Sequence, residues 1–279
     1  MEICESGCKQ LNSSTVKINF IDRLFGRSIH EKMSNHCHVS CIKNLKIPNV
    51  KRNGRWGFIQ ILGFTEIFSS LIALMSCFMN IYCFRKMILP KLKKSPMGHM
   101  YLIQHHICNA AFISSFLFHA RETTLTRNAD YFSAVASILI GLLVPINRLV
   151  LFHYPSSFKE FNTLSLRCSL FYFVFHIAKM TSGEFDYSYN KISCATIFCL
   201  SLIFNLMVIL NYRNTKHSRQ MLYSIGCLLL AGGIEILDIS PIFYLFDSHA
   251  MWHLLMAVAA PFYFKFITND LDYQVTKTD

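Results

Sequence analysis

The chain has 279 residues, of which 53% are hydrophobic and only 15% are charged, whereas a soluble domain carries about 25% charged residues. This composition excludes a water-soluble globule, a disordered chain and a small disulfide scaffold, and it predicts an integral membrane protein. The formal net charge is +11, and the first 57 residues hold ten Lys and Arg against four Asp and Glu. These cations are scattered among polar residues without a dense run, so we expect a solvated surface and no nucleic-acid partner.

Seven apolar stretches predict membrane-spanning helices. A bilayer core about 30 Å thick requires a helix of about 20 mostly apolar residues. The stretches run from Phe58 to Phe84, Tyr101 to Phe118, Tyr131 to Ile146, Leu166 to Met180, Ile192 to Leu210, Met221 to Leu237 and Ala250 to Ile267. We therefore expect an all-α membrane protein, with a seven-transmembrane helix bundle in residues 58–279 and a small cysteine-containing region in residues 1–57.

The basic residues between the spans predict the orientation of the bundle. The densest cluster follows the first span, whereas the loop between the sixth and seventh spans contains Asp238 and Asp247 and no Lys or Arg. Because short cytosolic loops are enriched in Lys and Arg, we expect a lumenal amino terminus and a cytosolic carboxyl terminus. Residues 1–4 lack the basic start and apolar core of a signal peptide. Either the first span translocates the amino-terminal region, or the true start lies upstream.

The amino-terminal region contains four of the eleven cysteines, arranged as two C-x3-C pairs. They are Cys4, Cys8, Cys37 and Cys41. An oxidising lumen favours two disulfides among them, for which three pairings are possible. The alternative is a zinc site that includes His36 and His38, although C-x3-C is an uncommon spacing for zinc. The same region carries one glycosylation sequon, Asn12-Ser13-Ser14.

Three groups of polar residues lie at or near the predicted membrane surface, where ionisable side chains are functional candidates. Their members are Ser115 and His119 at the end of the second span, Asp130 at the start of the third, and His249 and His253 at the start of the seventh. The four-residue spacing places each pair on one helix face. The predicted topology places all three groups at the lumenal membrane face.

Three histidines with an open fourth position are typical of catalytic zinc, which lowers the pKa of bound water to about 7. Asp130 could then accept a proton, and Ser115 could donate a hydrogen bond to the water or to a developing oxyanion. Each residue also has a purely structural interpretation. The Ser115 hydroxyl could donate a hydrogen bond to the carbonyl of residue 111 in its own helix, and Asp130 could cap the third span. We expect His105, His106 and His176 to be packing residues.

Several motifs resemble those of one family. The residues involved are 118–121 (FHAR) with 130–132 (DYF), 185–190 (FDYSYN), 235–238 (EILD) with Pro241, 247–253 (DSHAMWH), and 54–58 (GRWGF). In their order along the chain, these motifs resemble the PER-one-like family of post-GPI attachment to proteins factor 3, which consists of membrane hydrolases that remodel GPI anchors. The wider CREST superfamily also contains alkaline ceramidases and adiponectin-type receptors, and it shares the S-x3-H, aspartate and H-x3-H elements.

The resemblance implies a seven-helix lipid hydrolase with Zn²⁺ on His119, His249 and His253, and with Asp130 and Ser115 beside the metal. It implies removal of the sn-2 acyl chain from the phosphatidylinositol of GPI-anchored proteins, a phospholipase A2 type of reaction, in the endoplasmic reticulum or Golgi membrane. We expect supporting or structural roles for four further residues in or beside the motifs. These are Arg121, Asp186, Asp238 and Asp247.

Two other functions share the same metal-binding pattern. One is an amidase acting on ceramide, as in the related ceramidases. The other is a non-catalytic receptor or chaperone in which zinc only joins three helices. The order of motifs along nearly the whole chain favours the GPI-anchor hydrolase over both.

Overall fold

A computed structural model of the chain describes residues 2–11, 17–18, 20–24, 27–45, 56–59, 61–211 and 216–278. Within these ranges the regular elements are helices, accompanied by two isolated β-bridges. The α-helices are α1 (Glu2–Leu11), α2 (Phe20–Leu24), α3 (Ile29–Leu45), α4 (Ile67–Cys83), α5 (Gly98–Ala120), α6 (Thr124–His153), α7 (Phe158–Thr181), α8 (Tyr187–Asn211), α9 (Lys216–Leu237) and α10 (Ser248–Thr278). The all-α prediction is confirmed.

Five helical stretches in the described part of the chain are long and apolar enough to cross a membrane. They are Ile67–Lys93, Thr124–His153, Tyr187–Asn211, Ser218–Leu237 and Ser248–Asp272. The predicted second and fourth spans coincide with α5 and α7, helices of 23 and 24 residues. Polar side chains such as Gln104 and Asn109 in α5, and Arg167 in α7, lower the hydropathy of these two helices.

The predicted start of the first span is wrong by nine residues. Helix α4 begins at Ile67, whereas the apolar pattern places the start at Phe58. A tight turn occupies residues 61–64, because Leu62 and Gly63 have φ values of 52° and 81° that no α-helix accommodates. Hydropathy alone does not distinguish an apolar turn from an apolar helix.

The chain divides into two compact units, whose boundaries fall inside several of the helices. The first comprises Met1–Ser76, Phe112–Asp130 and Leu229–Ala257, and the second comprises Cys77–Ala111, Tyr131–Leu228 and Val258–Asp279. The residues predicted to bind metal, together with Ser115 and Asp130, belong to the first unit.

Two disulfides join α1 to α3 in the first unit, linking Cys4 to Cys41 and Cys8 to Cys37. The i, i+4 spacing in both helices makes this antiparallel pairing possible, because each pair of sulfurs lies on one face. All four thiols are consumed, which contradicts the alternative of a zinc site in this region. His38 instead contacts Glu5, with 2.7 Å between Nδ1 and Oε1. The sequon at residues 12–14 lies outside the described residues.

Glu31 connects the disulfide-bonded helices to the start of α6. Its carboxylate accepts hydrogen bonds from the backbone and hydroxyl of Thr124, at 3.0 and 2.7 Å, and from the backbone N–H of Ser28 at 2.7 Å. The Ser28 hydroxyl in return accepts from the Glu31 backbone, so the two residues form a capping box at α3. Burial alone would raise the pKa of Glu31, but these hydrogen bonds outweigh it and lower the pKa.

The second unit combines an apolar core with a buried ion pair between Arg148 and Asp270. Ile88, Met100 and Leu271 are fully buried in the core. The guanidinium of Arg148 donates to both carboxylate oxygens of Asp270 at 2.8 Å, and the hydroxyl of Tyr101 also contacts this carboxylate. The Asp270 side chain is completely inaccessible to solvent, so its charge depends on these partners.

We expect Asp270→Ala to lower the free energy of unfolding by about 3–5 kcal/mol, because the Arg148 charge is left buried without its carboxylate. Denaturation of the purified protein in detergent measures the change. Asp272→Ala is the matched control, since Asp272 pairs with Lys91 at a solvent-exposed position and its loss should cost less than about 1 kcal/mol. Equal destabilisation by the two substitutions would contradict this assignment.

Candidate metal centre

Three histidines from two helices converge in the first unit. His119 lies at the end of α5, and His249 and His253 lie one turn apart at the start of α10. The ring centroids are 5.1 Å apart for His119 and His249, 5.3 Å for His119 and His253, and 4.7 Å for the α10 pair. One nitrogen from each ring lies within 4.8 Å of the others. Among the His, Cys, Asp and Glu side chains of the described residues, these three histidines form the group whose geometry suits a metal ion.

The segment before α4 holds the end of α5 in place. The backbone N–H of Glu66 donates to the carbonyl of His119 at 2.9 Å, and the N–H of Thr65 donates to the carbonyl of Ala120 at 3.1 Å. The Ser70 hydroxyl donates to the carbonyl of Phe116. The bonds to His119 and Ala120 satisfy carbonyls that a helix end leaves without intrahelical partners. The position of His119 is therefore coupled to that of Glu66.

Two glutamates orient two of the imidazoles. Oε2 of Glu66 lies 2.6 Å from Nδ1 of His119, and the carboxylate oxygens of Glu235 lie 3.2 and 3.3 Å from Nδ1 of His249. A carboxylate at Nδ1 favours the tautomer in which Nδ1–H donates and Nε2 carries the lone pair. Both rings are thereby prepared to bind a cation through Nε2.

The Nε2 atom of His119 provides the structural test of whether a metal fits. This atom is buried and has no hydrogen-bond partner, and the whole residue is only 1% exposed. An unsatisfied buried nitrogen lone pair is costly, and a metal ion would satisfy it. Three imidazoles are a preferred donor set for zinc and related transition metals. The residues present therefore fit a metal site of this class.

Ser115 lies beside the histidines, and Asp130 lies on a neighbouring segment of the same unit. The Ser115 hydroxyl is 3.4 Å from Nε2 of His253, and Ser115 is buried. Asp130 is half-buried in the second turn of α6. Because α6 begins at Thr124, the interpretation of Asp130 as a helix cap is wrong. Among the described residues, the cluster with ligand geometry consists of the three histidines and does not include Asp130.

Two of the predicted supporting residues act on the segment before α10. Asp247 accepts a hydrogen bond from the backbone N–H of Ala250 at 2.9 Å, which caps the helix carrying both α10 histidines. Burial raises the pKa of Asp247, and the negative charge of Glu66 raises it further. Asp238 accepts a 2.9 Å hydrogen bond from the indole of Trp56. Both aspartates thus order the chain around the histidines.

The other two predicted supporting residues have local structural contacts. The guanidinium of Arg121 packs against Gly63. A Cβ atom added at residue 63 would lie only 2.9 Å from Nη2 of Arg121. Asp186 is in the second unit, where it accepts a hydrogen bond from the backbone N–H of Tyr189 and caps α8.

The histidines expected to be packing residues have partners in the second unit. Asn109 donates to His105 at 3.1 Å, and the ring of His105 stacks on Phe84 with a centroid distance of 3.8 Å. His176 contacts the side chain of Asn190. These contacts agree with a packing role.

Sequence reasoning missed the roles of Glu66 and Glu235. Glu66 was identifiable as an acidic residue in a predicted span, where ionisable groups are functional candidates. Glu235 lies in the last turn of α9 and belongs to the EILD motif at residues 235–238. Neither position predicts an imidazole partner, because the pairs are 53 and 14 residues apart in the chain.

Comparison with known proteins adds an independent observation. A sequence profile described as "Per1-like family" matches residues 22–271, which include all three histidines and both glutamates. GPI-specific phospholipase A2-like PGAP3 of Cricetulus griseus is 28% identical, over 81% of this chain and 70% of the relative. Protein PER1 homolog of Schizosaccharomyces pombe is 25% identical, over 98% and 84%. The Homo sapiens GPI-specific phospholipase A2-like PGAP3 is 27% identical, over 84% and 72%.

We expect Glu66→Ala to weaken Zn²⁺ binding by about 10–100-fold, because His119 loses the carboxylate that orients its ring. Glu66→Gln should weaken it less, since the amide oxygen still accepts a hydrogen bond from Nδ1–H. Competition with a chromophoric chelator measures the affinity without reference to any activity. Glu184→Ala, which removes an exposed glutamate, is the control, and equal affinities for Glu66→Ala and Glu184→Ala would contradict the role of Glu66.

Proposed function

Because the chain belongs to the Per1-like family, we propose that it is a zinc-dependent hydrolase that removes the sn-2 acyl chain from the phosphatidylinositol of GPI-anchored proteins. The observation that carries the proposal is the group of three imidazoles in which the buried Nε2 of His119 lacks a partner. The family relatives named GPI-specific phospholipase A2-like support this substrate and this type of reaction.

His119, His249 and His253 would hold the zinc ion. A zinc ion bound by three neutral imidazoles supplies Lewis acidity toward an ester carbonyl and makes water a stronger acid. Glu66 and Glu235 orient two of these rings through the hydrogen bonds at Nδ1, which leaves Nε2 of each ring as the atom available to a metal. The protein thus provides an oriented donor set at the end of α5 and the start of α10.

Ser115 and Asp130 are assigned the two remaining roles at the ester. The Ser115 hydroxyl, next to His253, donates a hydrogen bond to the carbonyl oxygen as negative charge develops on it. The Asp130 carboxylate accepts the proton of the attacking water and returns it to the leaving alcohol. The burial of Ser115 and its contact with His253 support its role, and for Asp130 the support is its half-buried position in the unit that contains the histidines.

The proposed topology adds α5 and α7 to the five strongly apolar helices, giving seven spans. Residues 1–57 form a lumenal region, residues 58–279 form the hydrolase domain, and the carboxyl terminus is cytosolic. The two disulfides support a lumenal location for the first residues, because disulfides persist in the oxidising secretory compartments. We assign the protein to the endoplasmic reticulum or Golgi membrane, where GPI-anchored proteins are processed.

We expect His249→Ala and His253→Ala to reduce bound zinc and to lower turnover by at least about a hundredfold, because each removes a metal ligand. Metal analysis of the purified proteins gives zinc per chain, and mass spectrometry of a glucosaminyl phosphatidylinositol substrate detects release of the sn-2 chain. His36→Ala, at an exposed position, should retain both properties. Sn-2 release that persists in both α10 variants would contradict the proposal, as would turnover of ceramide by the wild type instead.

We expect Asp130→Asn to retain the zinc content of the wild type and to lower turnover by about 10²–10⁴-fold, because the amide cannot accept the proton. The same metal analysis and lipid assay measure the two quantities. Full turnover by this variant would show that another group accepts the proton. It would also favour a structural role for zinc if the histidine variants retained turnover as well.

A further inference from the structure

Two short turns in the first unit each carry a large apolar side chain at the tip. In the first turn, Phe64 donates its backbone N–H to the carbonyl of Ile61 at 2.9 Å, which leaves Leu62 and Gly63 at the apex. Both apex residues have positive φ values of 52° and 81°. The Leu62 side chain is 89% exposed. This turn will be called the Leu62 turn.

The second turn has a similar construction. Ile242 donates its backbone N–H to the carbonyl of Phe246 at 2.8 Å, and Phe243 and Tyr244 between them have φ values of 53° and 59°. The Phe243 side chain is 83% exposed, and Ile242 is 59% exposed. This turn will be called the Phe243 turn.

The residue types at these apexes are unusual for turns in water. Left-handed backbone angles favour Gly, Asn and Asp, and turns with positive φ at their centre select these residues strongly. Leucine and phenylalanine have no side-chain hydrogen bond to offset the strain. Residues held in such conformations cluster at functional sites. Here the conformation directs an apolar side chain away from the protein.

The two turns adjoin each other, the membrane-spanning helices and the metal centre. The backbone N–H of Ile59 donates to the carbonyl of Tyr244 at 3.0 Å, which joins the two loops. The apolar spans begin at Ile67 and Ser248, five residues after Leu62 and five after Phe243. The same loops lead directly to Glu66 and His249. The apolar tips therefore lie at the end of the bundle that carries the histidines.

We propose that the Leu62 and Phe243 turns insert into the membrane interface and contact the acyl chains of the lipid substrate, so that its ester is presented to the histidines. The inference rests on the proposed function for the identity of the substrate. An apolar side chain next to the start of a span contacts lipid rather than water, and its burial there is favourable. A bilayer lipid is therefore the occupant that this surface fits.

The test compares two substrates of the full-length protein in phosphatidylcholine vesicles. One is a long-chain glucosaminyl phosphatidylinositol in the bilayer, and the other is its short-chain analogue added below its critical micelle concentration. We expect Leu62→Asn and Phe243→Asn each to lower kcat/KM for the bilayer substrate about tenfold, and to leave the short-chain substrate within about twofold. Asparagine tolerates positive φ, so both variants should remain as stable as the wild type.

Conservative variants and a direct contact measurement complete the experiment. Phe243→Leu should keep the bilayer activity, because it keeps an apolar tip. Phe243→Trp should show fluorescence that brominated phosphatidylcholine quenches, measured as the difference from the wild type, which contains Trp56 and Trp252. The inference would be overturned if the asparagine variants lost kcat/KM equally on both substrates or lost it on neither. It would also be overturned if Phe243→Trp showed no quenching and the substitutions changed the oligomeric state instead.

Failure of the proposed function would look different. A wild type that hydrolyses neither substrate contradicts the hydrolase assignment, and the quenching of Phe243→Trp then decides the lipid contact separately. A wild type that is active, with unaffected asparagine variants and no quenching, contradicts only the role of the two turns.

Discussion

The hydrogen bond between Glu66 and His119 is the constraint on which the candidate site depends. It joins a carboxylate to an imidazole at 2.6 Å, in surroundings where the two residues are 4% and 1% exposed. In such surroundings a polar atom without a partner costs free energy. Because the carboxylate occupies Nδ1, the ring presents the lone pair of Nε2 to the other two histidines. This arrangement fits a metal ion bound between the three rings.

The backbone reinforces this bond. Thr65 and Glu66 donate their N–H groups to the last carbonyls of α5, so one short segment supplies both the cap of that helix and the carboxylate that orients its histidine. On α10, Asp247 caps the helix while Glu235 orients His249. Each helix end thus has its own cap and its own carboxylate. This duplication limits the freedom of the rings, as precise metal geometry requires.

The amino-terminal region obtains its structure by different means. It is too short and too polar to form a large apolar core, and two disulfides join its helices instead. Glu31 then connects α3 to the first residue of α6 through Thr124. The connection lies close in sequence to His119, which is in the last turn of α5. The two disulfides therefore stabilise a region that contacts the chain next to the site.

The amino-acid sequence alone determined the helical class, the positions of most helices and the shared helix face of His249 and His253, because these depend on composition and on spacing within one helix. The i, i+4 relation of His249 and His253 requires only the period of an α-helix. Tertiary structure decided the pairing of the four cysteines, the carboxylate partners of His119 and His249, and the late start of α4. Each of these depends on which distant segments meet, or on φ angles such as that of Leu62, and local apolar patterns carry no information about either.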